Sequence, residues 1–444
     1  MGVERRGRVI CGLFVFVNRM SGRSGVDGLK SSGKSFVIAK QEVVEAFRTV
    51  KANRGASGVD GVSLDEFEKD LRNNLFKIWN RMSSGTYFPP PVKAVEIPKQ
   101  HGPGTRTLGV PTIADRVAQT VVANHLMVRV DPVFHPDSYG YRPNKSALDA
   151  VGVCRQRCWN YAWVVELDIQ KFFDTVPHDL LVKAVEAHTD ARWVLLYVRR
   201  WLTAPLQQPD GTLRERDRGT PQGSAVSPVL ANLFMHYAFD LWLAREFPTV
   251  RFERYADDAV VHCATQRQAV AVRQAIEDRM VEVGLRLHPD KTKIVYCRDA
   301  RRRESYLHTS FTFLGYTFRA RTTRGPDGKN NFTGFNPAIS KEALKKLNAE
   351  VRGWRLPRRS ELTLADLARK INPIVRGWML YYGRFYRSAV YPVLRRINSY
   401  LVRWLRRTRR RFAGWKKAIA CWNRMTAQNP TLFVHWRWTT RPVR

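Results

Sequence analysis

The sequence has no long hydrophobic run. Its longest apolar stretch, residues 9–17, is far shorter than the roughly 20 residues that a membrane-spanning helix needs. We therefore expect no membrane segment and no membrane partner. Residues 1–34 are rich in Gly and Ser, and we expect them to form a flexible N-terminal extension.

Cysteines are few and scattered. The six are Cys11, Cys154, Cys158, Cys263, Cys297 and Cys421. None forms a Cys-x2-Cys pair, and Cys154 with Cys158 lacks a second pair that would complete a zinc site. We expect reduced thiols in a cytoplasmic, bacterial-type protein that is associated with the nucleoid when it is on DNA.

Acidic residues are scarce. The chain has 39 Asp and Glu against 75 Lys and Arg, a formal charge of +36, and such a field attracts nucleic acid. Residues 367–444 contain 19 basic residues and no acidic one, together with six of the 13 Trp. This mixture predicts a surface that neutralises phosphates and stacks bases. Packing in a core is the alternative for the Trp, and we expect it for most of them.

One acidic motif stands out in this basic chain. Tyr255-Ala256-Asp257-Asp258 lies between predicted strands at 251–255 and 259–264, which places the acidic pair at a hairpin tip. Asp168 ends a third β-rich run, 162–167. Alone, such a motif is a surface turn more often than a catalytic site. Three converging carboxylates, however, suit Mg²⁺, and two such ions clamp the attacking and leaving oxygens of a phosphoryl transfer.

Hydrophobic periodicity predicts a mixed α and β chain that becomes helical from Ser340 to about Met425. Predicted helices cover 40–53, 63–82, 114–130, 145–160, 227–243 and 266–283, and predicted strands cover 92–98 and 311–318, the latter with Gly315 in its middle. We expect a segment at 35–91 that carries a Gly-rich loop, a main domain at 92–320, a linker at 321–339 and a helical domain at 340–444.

Further motifs accompany the acidic one in a fixed order. They are Asn53–Gly61, Ser138–Asn144, Val165–Asp174, Gly219–Pro228, Gly284–Lys293, Phe313–Gly315 and Gly377–Tyr382. Together they resemble the motifs of the group II intron-encoded reverse transcriptases, also called maturases, over roughly 35–424.

The resemblance implies an α+β fold: a right-hand polymerase whose fingers-palm contains an antiparallel sheet, followed by an α-helical thumb or maturase domain. It implies an RNA-directed DNA polymerase that extends a DNA primer on an RNA template with deoxynucleoside triphosphates. Asp168, Asp257 and Asp258, with the carbonyl of Ile169, would hold two Mg²⁺ ions. The expected macromolecular partners are a group II intron RNA and target DNA.

By resemblance, five further side chains handle the incoming nucleotide. Lys99 and Arg106 would grip the triphosphate, and Gln222 would contact the nucleotide or the template backbone. Phe173 would block a ribose 2′-OH, although a core position is the alternative for this ring. Lys291 is a weaker candidate, with a structural salt bridge as its alternative.

The RNA-binding candidates are all arginines. They are Arg54, Arg142, Arg376, Arg384, Arg406, Arg407 and Arg410. By resemblance, the loop at 54–61 covers the template near the active site, and Arg142 supports that side of the site.

The sequence contains no zinc-type or His-Asn-His nuclease pattern, so the resemblance is to the endonuclease-lacking type. We expect assistance to intron splicing and target-primed reverse transcription, known as retrohoming. A domesticated reverse transcriptase serving phage defence or CRISPR adaptation is one alternative, and a non-catalytic splicing chaperone is another. The intron, the DNA target and the oligomeric state are left open.

Overall fold

The structure is a computed structural model that describes residues 34–98, 104–324, 330–408 and 413–443. The expected N-terminal extension lies outside the described residues except for its last residue, and so do Lys99 and Arg410. The described chain forms two compact units. The first comprises the chain up to Ala150 with Leu167–Val261 and Val270–Thr292, and the second comprises Val151–Glu166, His262–Ala269 and Lys293–Arg444.

The elements follow the hydrophobic periodicity closely. The helices are α1 Lys40–Asn53, α2 Leu64–Lys69, α3 Leu71–Ser83, α4 Ile113–Val130, α5 Ala147–Asn160, α6 Phe172–Thr175, α7 His178–Glu186, α8 Arg192–Thr203, α9 Ser227–Met235, α10 Leu241–Glu246, α11 Gln266–Glu282, α12 Lys341–Gly353, α13 Leu364–Tyr382, α14 Tyr391–Thr408 and α15 Trp415–Gln428. The strands are β1 Val92–Pro98, β2 Thr105–Val110, β3 Trp163–Leu167, β4 Leu206–Gln207, β5 Leu213–Arg214, β6 Arg251–Tyr255, β7 Asp258–Cys263, β8 Lys293–Tyr296, β9 Ser310–Phe313, β10 Tyr316–Arg324 and β11 Asn331–Ile339.

The helix expected at 63–82 is interrupted. Its start is confirmed, because Ser63 and Glu66 form a capping box. At Asp70 the backbone leaves the helical region (φ −124°, ψ 46°), which separates α2 from α3. The Asp70 carboxylate instead accepts a hydrogen bond of 2.8 Å from the Asn73 side chain. An aspartate that bonds locally in this way competes with the helical backbone.

A four-stranded sheet in the first unit has the order β2-β1-β4-β5. Strands β1 and β2 are antiparallel, with Ile97 opposite Arg106. Helix α4 is buried along most of its length, including Val117, Val122 and Leu126. Helix α4 and the β1 residues Val92 and Ala94 contribute buried apolar side chains to the first unit. Most of the neighbouring strand β2 is exposed or half-buried.

The predicted hairpin around the acidic motif is present, since β6 and β7 are neighbouring strands. The single helix expected at 227–243 is divided by a π-helical segment, His236–Asp240, between α9 and α10. Such segments rotate the side chains that follow them and often occur at functional sites. Here the π-helical turn ends at Asp240, which is fully buried.

Two expectations for the second unit are wrong. The strand expected at 311–318 is a hairpin, in which β9 and β10 are joined by Leu314 and Gly315, both with positive φ (50° and 78°). The linker expected at 321–339 forms most of the antiparallel β10–β11 pair, which completes a sheet of order β11-β10-β9. Most of β10 is half-buried or exposed, so its polar composition resembles that of a loop although its backbone is fully paired.

The helices of the second unit surround an apolar core that includes Ile371, Ile397 and Leu401. Trp404, Trp422 and Trp436 are buried in this core, which confirms packing as the role of these rings. None of the helices in the described part of the chain is long and apolar enough to cross a membrane.

Candidate active site

The acidic motif forms the tight turn of the β6–β7 hairpin. Ala256 and Asp257 connect the strands, and Asp258 is the exposed first residue of β7. Ala256 has a positive φ of 59°, a conformation that costs a residue with a Cβ. Gly140 lies directly against this turn, since a Cβ placed on it would be 2.5 Å from the Ala256 nitrogen. The turn is therefore held in a strained conformation by tight backbone packing.

Asp168 lies where the chain leaves β3 and pairs with the segment that follows α11. The Asp168 carbonyl accepts from the His288 amide at 2.7 Å, and the Gln170 amide donates to the Arg286 carbonyl at 2.9 Å. These bonds flank a bridge between Ile169 and Leu287, and neither of them uses the Ile169 carbonyl. Two motifs predicted to belong to one site, 165–174 and 284–293, are thus in direct contact.

Asp168 and the acidic turn lie at the ends of neighbouring strands, because β3 and β7 are adjacent in the sheet of order β6-β7-β3-β8. Burial raises the pKa of Asp257 above its usual value, and the negative charge of Asp168 raises it further. A backbone hydrogen bond and the cations Arg254 and Lys291 act in the opposite direction. Crowded carboxylates repel one another, and a hard divalent cation relieves this repulsion. The residues present therefore fit a divalent metal.

The Gly219–Gly223 loop lies against the Phe173 segment. The Thr220 amide donates to the Phe173 carbonyl at 2.7 Å, and a Cβ on Gly219 would be 2.7 Å from the same oxygen. Phe172 is buried with 2% of its surface exposed, whereas Phe173 is half-buried. The core role thus belongs to Phe172, and Phe173 keeps an accessible face.

The same loop also contacts β2, which carries Arg106. The Gly109 amide donates to the Gln222 carbonyl at 2.9 Å, and a Cβ on Gly223 would be 2.6 Å from the Gly109 carbonyl oxygen. The buried Nε of Arg106 has no hydrogen-bond partner within the described residues. Arg106, Phe173, Gln222 and the aspartates therefore lie on connected segments of the first unit.

Sequence reasoning missed two residues beside the acidic turn. Tyr141 is desolvated and near the carboxylates of Asp257 and Asp258, and these effects raise its pKa to about 12, while Arg106 opposes them. Arg254 is completely buried. Tyr141 belongs to the 138–144 motif, and Arg254 immediately precedes the acidic motif, so a polar residue within or next to a motif was the available signal.

The two arginines predicted to bind RNA in the first unit differ in exposure. Arg54 is exposed at the end of α1. The side chain of Arg142 is 8% exposed and forms an ion pair with Asp131 at 2.7 Å. Its guanidinium also donates to the carbonyls of Asp131, His135 and Ser138. These bonds take up the Arg142 guanidinium, so we assign it to supporting its own loop.

The predicted RNA-binding arginines described in the second unit are all exposed. Arg376 lies on α13 and Arg384 follows it, whereas Arg406 and Arg407 lie in the last turn of α14. The Arg406 guanidinium donates to the Ala413 carbonyl at 2.8 Å. The surface of this helical unit therefore presents positive charge on at least two helices.

Comparison with known proteins agrees with this geometry. The family described as "Reverse transcriptase (RNA-dependent DNA polymerase)" matches residues 97–318, and the family described as "Group II intron, maturase-specific domain" matches residues 344–422. The first match contains Asp168, Asp257 and Asp258, and the second spans most of the helical part of the second unit.

Sequence relatives show the same relationship. Protein YkfC of Escherichia coli (strain K12) is 31% identical over 330 residues, which are 64% of this chain and 81% of that protein. The group II intron-encoded protein LtrA of Lactococcus lactis subsp. cremoris is 30% identical over 191 residues, 43% of this chain and 32% of LtrA. A structure of telomerase from Candida albicans has a TM-score of 0.45 at 12% identity and covers 84% of this chain and 68% of that one.

The order of motifs, the acidic turn and both family matches agree on one enzyme class and on a right-hand polymerase followed by a helical domain. An enzyme of this class depends on divalent metal ions. The chain belongs to the reverse transcriptase family and, with its maturase-specific domain, to the group II intron reverse transcriptases, which are RNA-directed DNA polymerases.

Proposed function

We propose that this reverse transcriptase extends a DNA primer on an RNA template, with two Mg²⁺ ions held by Asp168, Asp257 and Asp258. We further propose that it binds the intron RNA that encodes it. The observation that carries the first proposal is that β3, which ends just before Asp168, and β7, which begins at Asp258, are neighbouring strands of one sheet. The negative charge of Asp168 also contributes to the raised pKa of Asp257. When bound, the ions lower the pKa of the primer 3′-OH and stabilise the charge on the pyrophosphate leaving group.

Residues around the aspartates orient the reactants. Arg106 has an unpartnered buried Nε among the described residues, and its planar guanidinium suits a triphosphate. Phe173 offers a half-buried ring, which would occupy the space of a ribose 2′-OH and favour deoxynucleotides. Gln222 lies on the loop that contacts both the β2 segment and, through Thr220, the Phe173 segment, a position suited to the nucleotide or the template backbone.

Intron binding is assigned to the second unit and to the loop at 54–61. The second unit matches the maturase-specific domain and exposes Arg376, Arg384 and Arg407. The loop packs on α4, with a Cβ on Gly58 only 2.6 Å from the Thr112 backbone. The loop at 54–61 and the basic helical surface of the second unit would hold structured RNA while the protein assists splicing. The polymerase would then copy the intron by extending a primer in target DNA.

Primer extension tests the polymerase site. The wild type should extend a DNA primer on an RNA template with deoxynucleotides and Mg²⁺. The double variant Asp257→Ala/Asp258→Ala should lose at least about 10³-fold in rate, because metal ions contribute several kcal/mol. Asp65→Ala, which removes an exposed carboxylate on α2, is the control. Equal extension by wild type and double variant would refute the proposed site.

Sequencing of co-purified RNA tests the intron partner. The RNA recovered with the wild type should be dominated by one structured intron, and adding the protein to that RNA should accelerate its splicing at low Mg²⁺. The Asp257→Ala/Asp258→Ala variant should accelerate splicing equally, since it retains the second unit. RNA recovered in proportion to cellular abundance would contradict intron-specific binding.

A further inference from the structure

A fully buried guanidinium lies behind the acidic turn. Arg254 is 0% exposed. Its Nε and one terminal nitrogen donate to the two carboxylate oxygens of Asp240, at 2.7 and 2.6 Å. The remaining N–H bonds point to the Asn232 Oδ1 (3.1 Å), the Ala256 carbonyl (2.9 Å) and the Ser138 hydroxyl (2.8 Å). All five donors of the guanidinium are thus used.

The partners of Arg254 come from separate parts of the first unit. Asp240 ends the π-helical segment, and Asn232 lies on α9. Ser138 belongs to the 138–144 motif and forms a parallel bridge with Arg254 itself. Because a buried ion pair is often no more stabilising than apolar packing, stability alone gives little reason for this arrangement. The geometry gives a better reason, because three partners from separate segments hold the guanidinium in one position.

The point that is fixed is the backbone of the acidic turn. Arg254 binds the carbonyl of Ala256, the residue with positive φ immediately before Asp257. On the other side, Gly140 packs against the Ala256 nitrogen, and the Asn232 side chain donates to the Gly140 carbonyl at 2.6 Å. Asn232 therefore connects the two supports of the turn.

We propose that Arg254 is a positioning residue for the metal-binding turn, and that the Ser138–Gly140 segment acts as its rigid backing. The role rests on the proposed assignment of Asp257 and Asp258 as metal ligands. Held by Asp240, Asn232 and Ser138, the guanidinium keeps the Ala256 carbonyl in place, so that both carboxylates are aligned before metal binds. Groups that orient metal ligands in this way typically alter metal affinity about 10–100-fold when changed.

The test is a Mg²⁺ titration of the wild type and Arg254→Lys, monitored by the Mg²⁺-induced rise in Tm, which reports binding without turnover, and by the rate of primer extension. The midpoint of the Tm rise should move to higher Mg²⁺ in the variant. Lysine keeps the charge but is a point donor that cannot reproduce the planar five-bond arrangement. We expect the Mg²⁺ concentration for half-maximal rate to rise about tenfold, while KM for the primer–template stays within about twofold and high Mg²⁺ recovers much of the rate. Arg251→Lys is the matched control, on the exposed end of the same strand.

A second variant keeps the test independent of the buried ion pair. Gly140→Ala leaves Arg254 intact but forces a methyl group against the Ala256 nitrogen, and it should raise the Mg²⁺ midpoint in the same direction. If both variants lose rate equally at all Mg²⁺ concentrations with an unchanged midpoint, the positioning role is wrong. If the wild type itself shows no Mg²⁺-dependent extension, the proposed polymerase site fails instead.

Discussion

The ammonium group of Lys291 lies 3.0 Å from Oδ2 of Asp168. This ion pair joins the segment after α11 to the residue that follows β3. The lysine side chain is 59% exposed and the aspartate side chain 31%, so the pair contributes little stability by itself. Its effect is local, because Lys291 also lowers the pKa of Asp257 and offsets negative charge that a metal ion would otherwise neutralise.

Lys291→Met should make the site more dependent on metal. Without Mg²⁺, the variant lacks the positive charge that offsets the carboxylates. This loss should lower the free energy of unfolding by less than about 1 kcal/mol, because the pair is partly exposed. The rise in Tm on adding Mg²⁺ should therefore be larger in the variant than in the wild type, by about 1–3 °C. Lys183→Met, an exposed lysine on α7, is the control. A Mg²⁺-induced rise equal to that of the wild type would contradict this role.

Phe173→Ala should relax sugar selection. Removal of the half-buried ring opens space where a 2′-OH would lie, and discrimination against ribonucleotides should fall on the order of 10–100-fold. The measurement is the ratio of kcat/KM for dGTP and GTP on one template. Phe173→Tyr keeps the bulk and should keep the selectivity. Unchanged selectivity in Phe173→Ala would assign sugar discrimination to another residue.

Asp115 should make stability fall as pH rises from about 4 to 6. Burial raises the pKa of this carboxyl to about 6, although Trp201, Tyr87 and Gln119 donate hydrogen bonds that oppose the shift. The folded protein thus holds the proton more tightly than the unfolded chain, so the contribution is present below the unfolded pKa and is lost as pH rises through about 6.

The loss amounts to about 3 kcal/mol for a shift of this size. Urea unfolding at several pH values should show a decline in the wild type that is absent in Asp115→Asn. Asp65→Asn, at an exposed site, should follow the wild type. Parallel profiles for the wild type and Asp115→Asn would show that this carboxyl does not control the pH dependence.

Three exposed arginines of the second unit should contribute to RNA affinity through charge. The triple variant Arg376→Gln/Arg384→Gln/Arg407→Gln should bind intron RNA more weakly, and the slope of log Kd against log salt should fall by about 2, because each lost phosphate contact removes about 0.7. Primer extension on a short template should change little. The control is the triple variant Arg72→Gln/Lys77→Gln/Lys183→Gln, which changes exposed residues of the first unit. An equal decrease of the salt slope in this control would indicate nonspecific attraction.

Much of the local structure was predictable from the sequence. The bounds of α1 and β1 agree with the predicted ones, since apolar spacing and turn residues act over a few positions. The hairpin turn that carries Asp257 and Asp258 was also predictable, because a turn between two strands is a local pattern. The breaks at Asp70 and at Leu314 were not predicted, since each depends on a local bond or a backbone angle that the apolar pattern does not report.

The sequence by itself determined most of the helices and the hairpin that carries the acidic motif, because these depend on neighbours along the chain. Only the tertiary structure decided what each cation does. Arg142 is buried against acceptors of its own loop, and Arg254 is buried against Asp240 and the distant Ser138, whereas Arg376 and Arg384 remain exposed. An arginine has the same charge in every case, and its role follows from which acceptors the fold brings within hydrogen-bond distance. That selection made one arginine beside the acidic motif a support for the turn.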